Sequence, residues 1–370
     1  MAHPAPSGSP LVPLADRAAP AWCVITLAAV TLAVFLLFVG LQIRRPLMYD
    51  EVNFSFAAEA VARIGIPFAN AGYMSDRYDF SQREQWALWH PPLYLYLLGL
   101  WYKLFGVSEL VGRSVGVICT VTSACLVAYI GRRIATPSSA SLTGLLAFAL
   151  FLLNPLTVQS ALILDIDGTI LLLFVTLLTA LYIRHVQKPE RWDMSILTLL
   201  FAVALWSKMT TPLGLLFAMI AFRGLERRPL LGIREAALVG VGGAALFLAT
   251  YTVVAMSLRM PWDLPFATLW QEFTDASQSS RESRESFEKF IEAVSPAAWW
   301  ISPALVVLSL AALTRRARDL IELRQPHVID LILVLAVGIF VIYLIKLAGL
   351  FPKYHVTAMP FIGLSAAWLV

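Results

Sequence analysis

Charge is what this sequence lacks most. Of its 370 residues only 14% are Asp, Glu, Lys or Arg, while 59% are hydrophobic and the mean hydropathy is +0.75. Soluble globular chains run at about 25% charged and roughly 45–50% apolar, so this composition excludes a water-soluble protein and indicates a bilayer. Cysteine is scarce as well. Cys23, Cys119 and Cys125 lie inside apolar segments, without CxxC or Cys/His metal spacing. That excludes a disulfide framework and a zinc site, leaving small packing residues. Strict apolar/polar alternation is missing too, which argues against a membrane β-barrel. Neither an internal repeat nor a stretch of soluble-domain composition is present. The net charge of +4 and pI of about 9.0 concern loop placement in such a chain, not nucleic acid.

What remains is a succession of apolar runs, many near the roughly 20 helical residues that cross about 30 Å of hydrocarbon. The expected class is an all-α polytopic membrane protein. Residues 1–20, rich in Pro, Ala and Ser, read as a disordered cytoplasmic N-terminus, and residues 21–370 as one transmembrane domain. The segment "AWCVITLAAVTLAVFLLFVGLQI" is too long for a signal-peptide core and lacks a small-residue cleavage site, so it reads as a retained first span. The sequence ends in "MPFIGLSAAWLV", partway through another span. Either this is a short chain of its kind or further helices follow.

The connections "GRRIATP", "IRHVQKPERWD", "RGLERRPLLGIRE" and "TRRARDLIELRQPH" are all basic, which assigns them to the cytoplasm. Paired spans between them (139–154 with 168–183, 194–207 with 212–223, 236–257 with 297–313) are partly short, as for tilted helices around a cavity. By parity the first span delivers Asp50 and Glu51 to the far side, and 111–130 brings the chain back. Residues 44–110 then form a large first external loop, within which "PPLYLYLLGLWYKLF" reads as an interfacial or re-entrant helix. A second external loop, 258–296, carries the mixed-charge run "DASQSSRESRESFEKF".

Polar clusters collect on that external side: Asp50 and Glu51, Asp165 and Asp167 in "LILDIDGTILLLF", Lys208 in "LWSKMTTP", and Lys346, Lys353 and Tyr354 near the end. Ionisable groups at membrane depth cost several kcal/mol unless they face a cavity or partner, which marks them as functional candidates. Each has a plainer reading. Asp50 and Glu51 suit a solvated helix end, a lone DxD suits a helix N-terminus, and Lys208 suits snorkelling to the interface. Arg113 could pair with Glu109 one turn earlier, His90 could be a loop histidine ahead of a Pro-started helix, and the nearby aromatics could form an interface belt.

Together these residues resemble a known pattern. "YDE" after the first span, "HPPLYLYLLGLWYKLFGVSELVGRSVG", an Asp opening the fourth span, a Lys between short spans and "PKYHVTAMPFIGL" are similar, in that order, to the dolichyl-phosphate-mannose protein mannosyltransferase superfamily, which includes the lipid A aminoarabinose transferases. The resemblance runs from about residue 44 onward. It implies the GT-C glycosyltransferase fold, with juxtamembrane helices in the first external loop. It also implies transfer of a sugar from a polyprenyl-phosphate donor to a lipid, glycan or protein acceptor at the periplasmic or extracytoplasmic face of a bacterial inner membrane, usually with inversion.

On that likeness Asp50 matches the general base and Glu51 its acidic neighbour. Asp167, with Asp165 as second choice, matches the acid opening span four. Lys208, Lys353, Tyr354, His90 and Arg113 match positions facing the donor phosphate or sugar. No cofactor is implied; a divalent Mg or Mn ion is compatible with the acidic residues. His90 stands where aminoarabinose transferases carry a basic residue before the Pro-Pro pair, and the luminal domain of eukaryotic protein mannosyltransferases has no counterpart. Two other classes fit charges at membrane depth: a secondary transporter or lipid flippase, which would favour internal repeats, and an inactive scaffold.

Overall fold

The computed structural model describes residues 20–48, 50–68, 85–270, 299–323, 326–347 and 352–370, and for 323, 340–347 and 352–354 the backbone path alone. Residues 1–19, most of the expected second external loop (271–298) and part of the first (69–84) lie outside the described residues. The architecture is helical and multi-span. In chain order come α1 (Ala21–Gln42), α2 (Asp50–Ile64), α3 (Leu93–Phe105), α4 (Glu109–Ile134), α5 (Ala140–Leu152) and α6 (Pro155–Ala161), then a π-helical turn (Asp167–Leu171) leading into α7 (Leu172–Gln187). There follow α8 (Asp193–Leu205), α9 (Leu213–Leu225), α10 (Pro229–Leu258), α11 (Pro303–Leu323), α12 (Val328–Leu347), a 3-10 helix (Pro352–Ala358) and α13 (Met359–Leu369).

Among the described residues, α1, α4, Asp167–Gln187 and α10 are long and apolar enough to cross a membrane. Helices α5 and α6 pass that test only together, bent by 63°. The bend has a local cause. Asn154 caps α6 through its side chain on Leu156 N at 2.9 Å, and Pro155 opens the new helix without an N–H to satisfy. Asn154 Nδ2 also donates to Ile301 O at 2.7 Å, tying the bend to the segment before α11. With 13 residues each, α8 and α9 reach only about 20 Å at 1.5 Å per residue. Both pack on the 30-residue α10, and their short length leaves room for the 206–212 loop to turn back into the protein.

Charged side chains gather the basic connections at one end of the bundle. Gln187 Nε2 donates to Arg133 O at 2.9 Å, linking the 131–137 and 183–193 connections. His185 Nε2 lies 3.5 Å from Glu235, whose carboxylate also takes Arg223 at 2.7 Å and Tyr182 Oη at 2.8 Å. Three of the four basic connections are therefore neighbours, as the pairing of spans required. The remaining one is braced by Arg316 on Asp330 at 2.8 and 3.0 Å.

The expected first external loop contains α2 as well as the short α3. Ser55 Oγ and Tyr102 Oη, 3.0 Å apart, join these two helices. Glycine at 99 permits the contact, because a Cβ there would meet Val61 Cγ1 at 2.6 Å and Ala58 O at 2.8 Å.

Candidate active site

The site lies at the end of the bundle away from the basic connections, and α2 starts it. Asp50, Asn53 and Phe54 fall at i, i+3 and i+4, one face of a helix, and that face lines a cavity of about 270 Å³. Trp89, His90, Asp165 and Asp167 complete the lining. Phe54 stands edge-on to Trp89 (centroids 5.9 Å apart) and to Tyr94 (5.5 Å), which holds the aromatic wall in place.

Asp165 and Asp167 come from the turn between α6 and α7. Asp165 Oδ1 accepts Ile166 N at 2.7 Å, and Thr169 Oγ1 donates to Asp165 O at 2.5 Å, so Asp165 caps its own turn. Thr169 has φ −117° and ψ −108°, outside the helical region, which kinks the turn at its middle before α7 begins. Gly168 makes the tight path feasible: a Cβ there would lie 2.9 Å from Ser160 O.

Lys208 approaches from the 206–212 loop, just past the C-terminus of α8. Its Nζ donates to both oxygens of Asp167 at 2.8 and 2.9 Å, and both residues are buried. The plain reading of Lys208 as a snorkelling residue does not hold: it points inward. The loop is fixed against α3 by Leu93 N donating to Trp206 O at 3.3 Å, and against α10 by Trp206 Nε1 donating to Thr250 Oγ1 at 3.0 Å. Trp89 and His90 line both the acidic cavity and a small recess on Lys208, Met209 and Thr210, forming a wall common to the two.

Glu51, expected beside Asp50 in the chemistry, faces elsewhere. Adjacent helical residues are about 100° apart, so Asp50 meets the cavity while Glu51, 3% exposed, enters the protein. There Arg113 holds it: Nη2 lies 3.1 and 3.2 Å from the two carboxylate oxygens and Nε 3.3 Å from Oε1. Glu51 also accepts from Met48 N at 3.1 Å and Leu164 N at 3.2 Å. Arg113 bonds further to the carbonyls of Ile43, Arg45 and Pro46 and is fully buried. Two expectations are corrected. Arg113 neither pairs with Glu109 nor lines the cavity, and Glu51 is not aimed into it.

The side chains of Lys353 and Tyr354 lie outside the described residues, as does that of Lys346. The backbone of Lys353 and Tyr354 is described in Pro352–Ala358, and this 3-10 helix packs against the π turn that carries Asp167. Among the described residues no group of three His, Cys, Asp or Glu side chains is arranged to hold a metal ion, and Asp167 already has an ammonium on both oxygens.

Asn53, Phe54 and Trp89 were not singled out as site residues from the sequence. Reading "DEVNF" as helix rather than loop would have put Asn53 and Phe54 on the Asp50 face.

Residues 89–252 match the protein family described as dolichyl-phosphate-mannose-protein mannosyltransferase. The resemblance read from the sequence holds. This matched segment runs from Trp89 through both aspartates and Lys208 into α10. The overall fold is similar to that of two crystal structures of ArnT from Cupriavidus metallidurans. The one bound to undecaprenyl phosphate has a TM-score of 0.61 at 17% identity, covering 95% of this chain and 60% of that one. The apo form gives 0.57 at 20% identity, covering 94% and 59%. The chain thus spans about three fifths of the length of ArnT. No curated protein matches it.

Proposed function

We propose that this protein is a glycosyltransferase that moves a sugar from a polyprenyl-phosphate donor to a hydroxyl-bearing acceptor at the extracytoplasmic membrane face, with inversion. The observation that carries this reading is the ammonium of Lys208, bound to Asp167, next to a cavity that Asp50 lines. The undecaprenyl phosphate in the ArnT crystal structure supports a donor of the same lipid class.

In this reading Asp50 accepts the acceptor hydroxyl proton as that oxygen attacks the anomeric carbon. The bond between that carbon and the phosphate oxygen breaks, and both of its electrons leave with the lipid phosphate. The departing phosphate needs cations rather than a protonating acid. Lys208 supplies one, with Lys353 and Tyr354 proposed beside it in the 3-10 helix and His90 at the wall common to both recesses. Asp167 orients Lys208, and Asp165 braces the turn. No step runs through a metal. Lipid, glycan and protein acceptors all supply a suitable hydroxyl.

The test is release of polyprenyl phosphate from labelled polyprenyl-phosphate sugars by the wild type and Asp50→Asn. Turnover by the wild type that falls about 10²–10⁴-fold in the variant, with folding intact, is expected for a lost base. A fully active Asp50→Asn overturns the role of Asp50. Absence of turnover with every donor and a membrane extract, together with lipid flux in sealed vesicles, overturns the reading in favour of a flippase.

A further inference from the structure

A second cavity lies at the basic end of the bundle, opposite the acidic site. It is a groove of about 390 Å³ between α1, α4 and α5. Each helix contributes one face at helical spacing: Ala28 and Leu32 from α1, Ala128 and Arg132 from α4, Leu145 and Phe148 from α5. Along α1 the lining runs from Val24 to Leu32, about 12 Å at 1.5 Å per residue. That length covers much of one leaflet of a hydrocarbon core of about 30 Å.

One strong charge lines this otherwise apolar groove. Arg132 is exposed, and among the described residues no carboxylate neutralises it. Its stem is held against α5 by the glycine at 144, since a Cβ there would meet Arg132 Cγ at 2.6 Å and Cδ at 3.4 Å. Ser141, on the same face of α5 and nearly one turn earlier, adds a hydroxyl at the same end of the lining. An unneutralised guanidinium beside an apolar slot at a basic membrane end matches a lipid with an acyl chain and an anionic headgroup.

We propose that this groove is a binding site for an anionic glycerophospholipid, one acyl chain lying between α1, α4 and α5 and the headgroup phosphate on Arg132. The occupant comes from the leaflet at the basic end. It is distinct from the sugar donor, whose proposed site is at the other end. A filled groove would also join α1, most of whose surface is exposed, to the rest of the bundle.

Native mass spectrometry of the full chain released from nanodiscs of phosphatidylglycerol and phosphatidylcholine tests this without any transferase assay. The wild type is expected to retain one phosphatidylglycerol. Arg132→Gln should retain at least tenfold less, Arg132→Lys should retain it, and Ala29→Phe, which fills the slot, should lose it with Arg132 intact. Retention by Arg132→Lys shows that the position tolerates change, so loss in Arg132→Gln reports charge rather than misfolding. Equal retention of phosphatidylcholine, undiminished phosphatidylglycerol in Arg132→Gln and Ala29→Phe, or displacement by undecaprenyl phosphate overturns the proposal.

Discussion

Arg113 and Glu51, 62 residues apart in sequence, form a buried ion pair that ties α2 to α4. The same carboxylate accepts Leu164 N, immediately before the turn of Asp165 and Asp167, and Met48 N, just before Asp50. One side chain therefore fixes both acidic walls of the cavity relative to each other. Its contribution to the site is spacing, while the proposed mechanism gives proton transfer to Asp50.

Removing Glu51 leaves Arg113 buried without its counterion, which typically costs about 3–5 kcal/mol, and removing Arg113 leaves Glu51 with only the more distant Arg45 at 3.8 Å. Arg113→Ala and Glu51→Ala should each lower the denaturation midpoint accordingly. Arg113→Lys should also be costly, because a single ammonium cannot reproduce a guanidinium that reaches one carboxylate and three carbonyls. Whatever transferase activity survives in Glu51→Gln should keep the wild-type pH profile. A pH profile that loses its acidic limb in Glu51→Gln but not in Asp50→Asn would assign the base to Glu51 instead.

Lys208 and Asp167 make a different prediction because their pair borders the cavity. Lys208→Met should lower polyprenyl-phosphate release by about 10²–10³, the usual size for loss of a group that stabilises developing negative charge. Asp167→Asn should reduce turnover as well, through misplacement of the ammonium. In the double variant the two losses should not add, since the residues touch. Strict additivity would show that they act separately.

How far the sequence reveals this arrangement depends on which interactions set each element. Long spans are legible because hydrocarbon imposes both length and apolarity, and α1, α4 and α10 appear as read. Connections were legible from Arg and Lys, and the contacts of Arg133 with Gln187 and of His185 with Glu235 bring three of them together. Less legible was α2: seven of its fifteen residues are buried, Glu51 and Glu59 among them, and its polar first turn reads equally well as loop. The partner of Arg113 was out of reach for a related reason. Glu109 is one turn away along α4, whereas Glu51 is brought near only by tertiary packing. Family likeness carried both acids and Arg113 into one functional group, and burial separates them.

Asn154 offers a test of the bent α5–α6 pair. Its Oδ1 caps α6, and its Nδ2 satisfies the carbonyl of Ile301 from a point 147 residues away. Asn154→Ala loses the cap, worth about 0.5–2 kcal/mol, and leaves a buried carbonyl without its donor, adding about 1–3 kcal/mol. Asn154→Asp keeps the acceptor for Leu156 N but places a carboxylate against the Ile301 carbonyl, so it should be no more stable than the alanine variant. Thermal denaturation in the same lipid and detergent compares the three proteins. If Asn154→Asp matched the wild type, the cap alone would account for the residue, and the link to Ile301 would contribute nothing to the bend. The expected order, with wild type well above both variants, requires that the link act in the folded bundle. Because the bend leads into the turn of Asp165 and Asp167, the same variants should also weaken transfer in proportion to their lost stability.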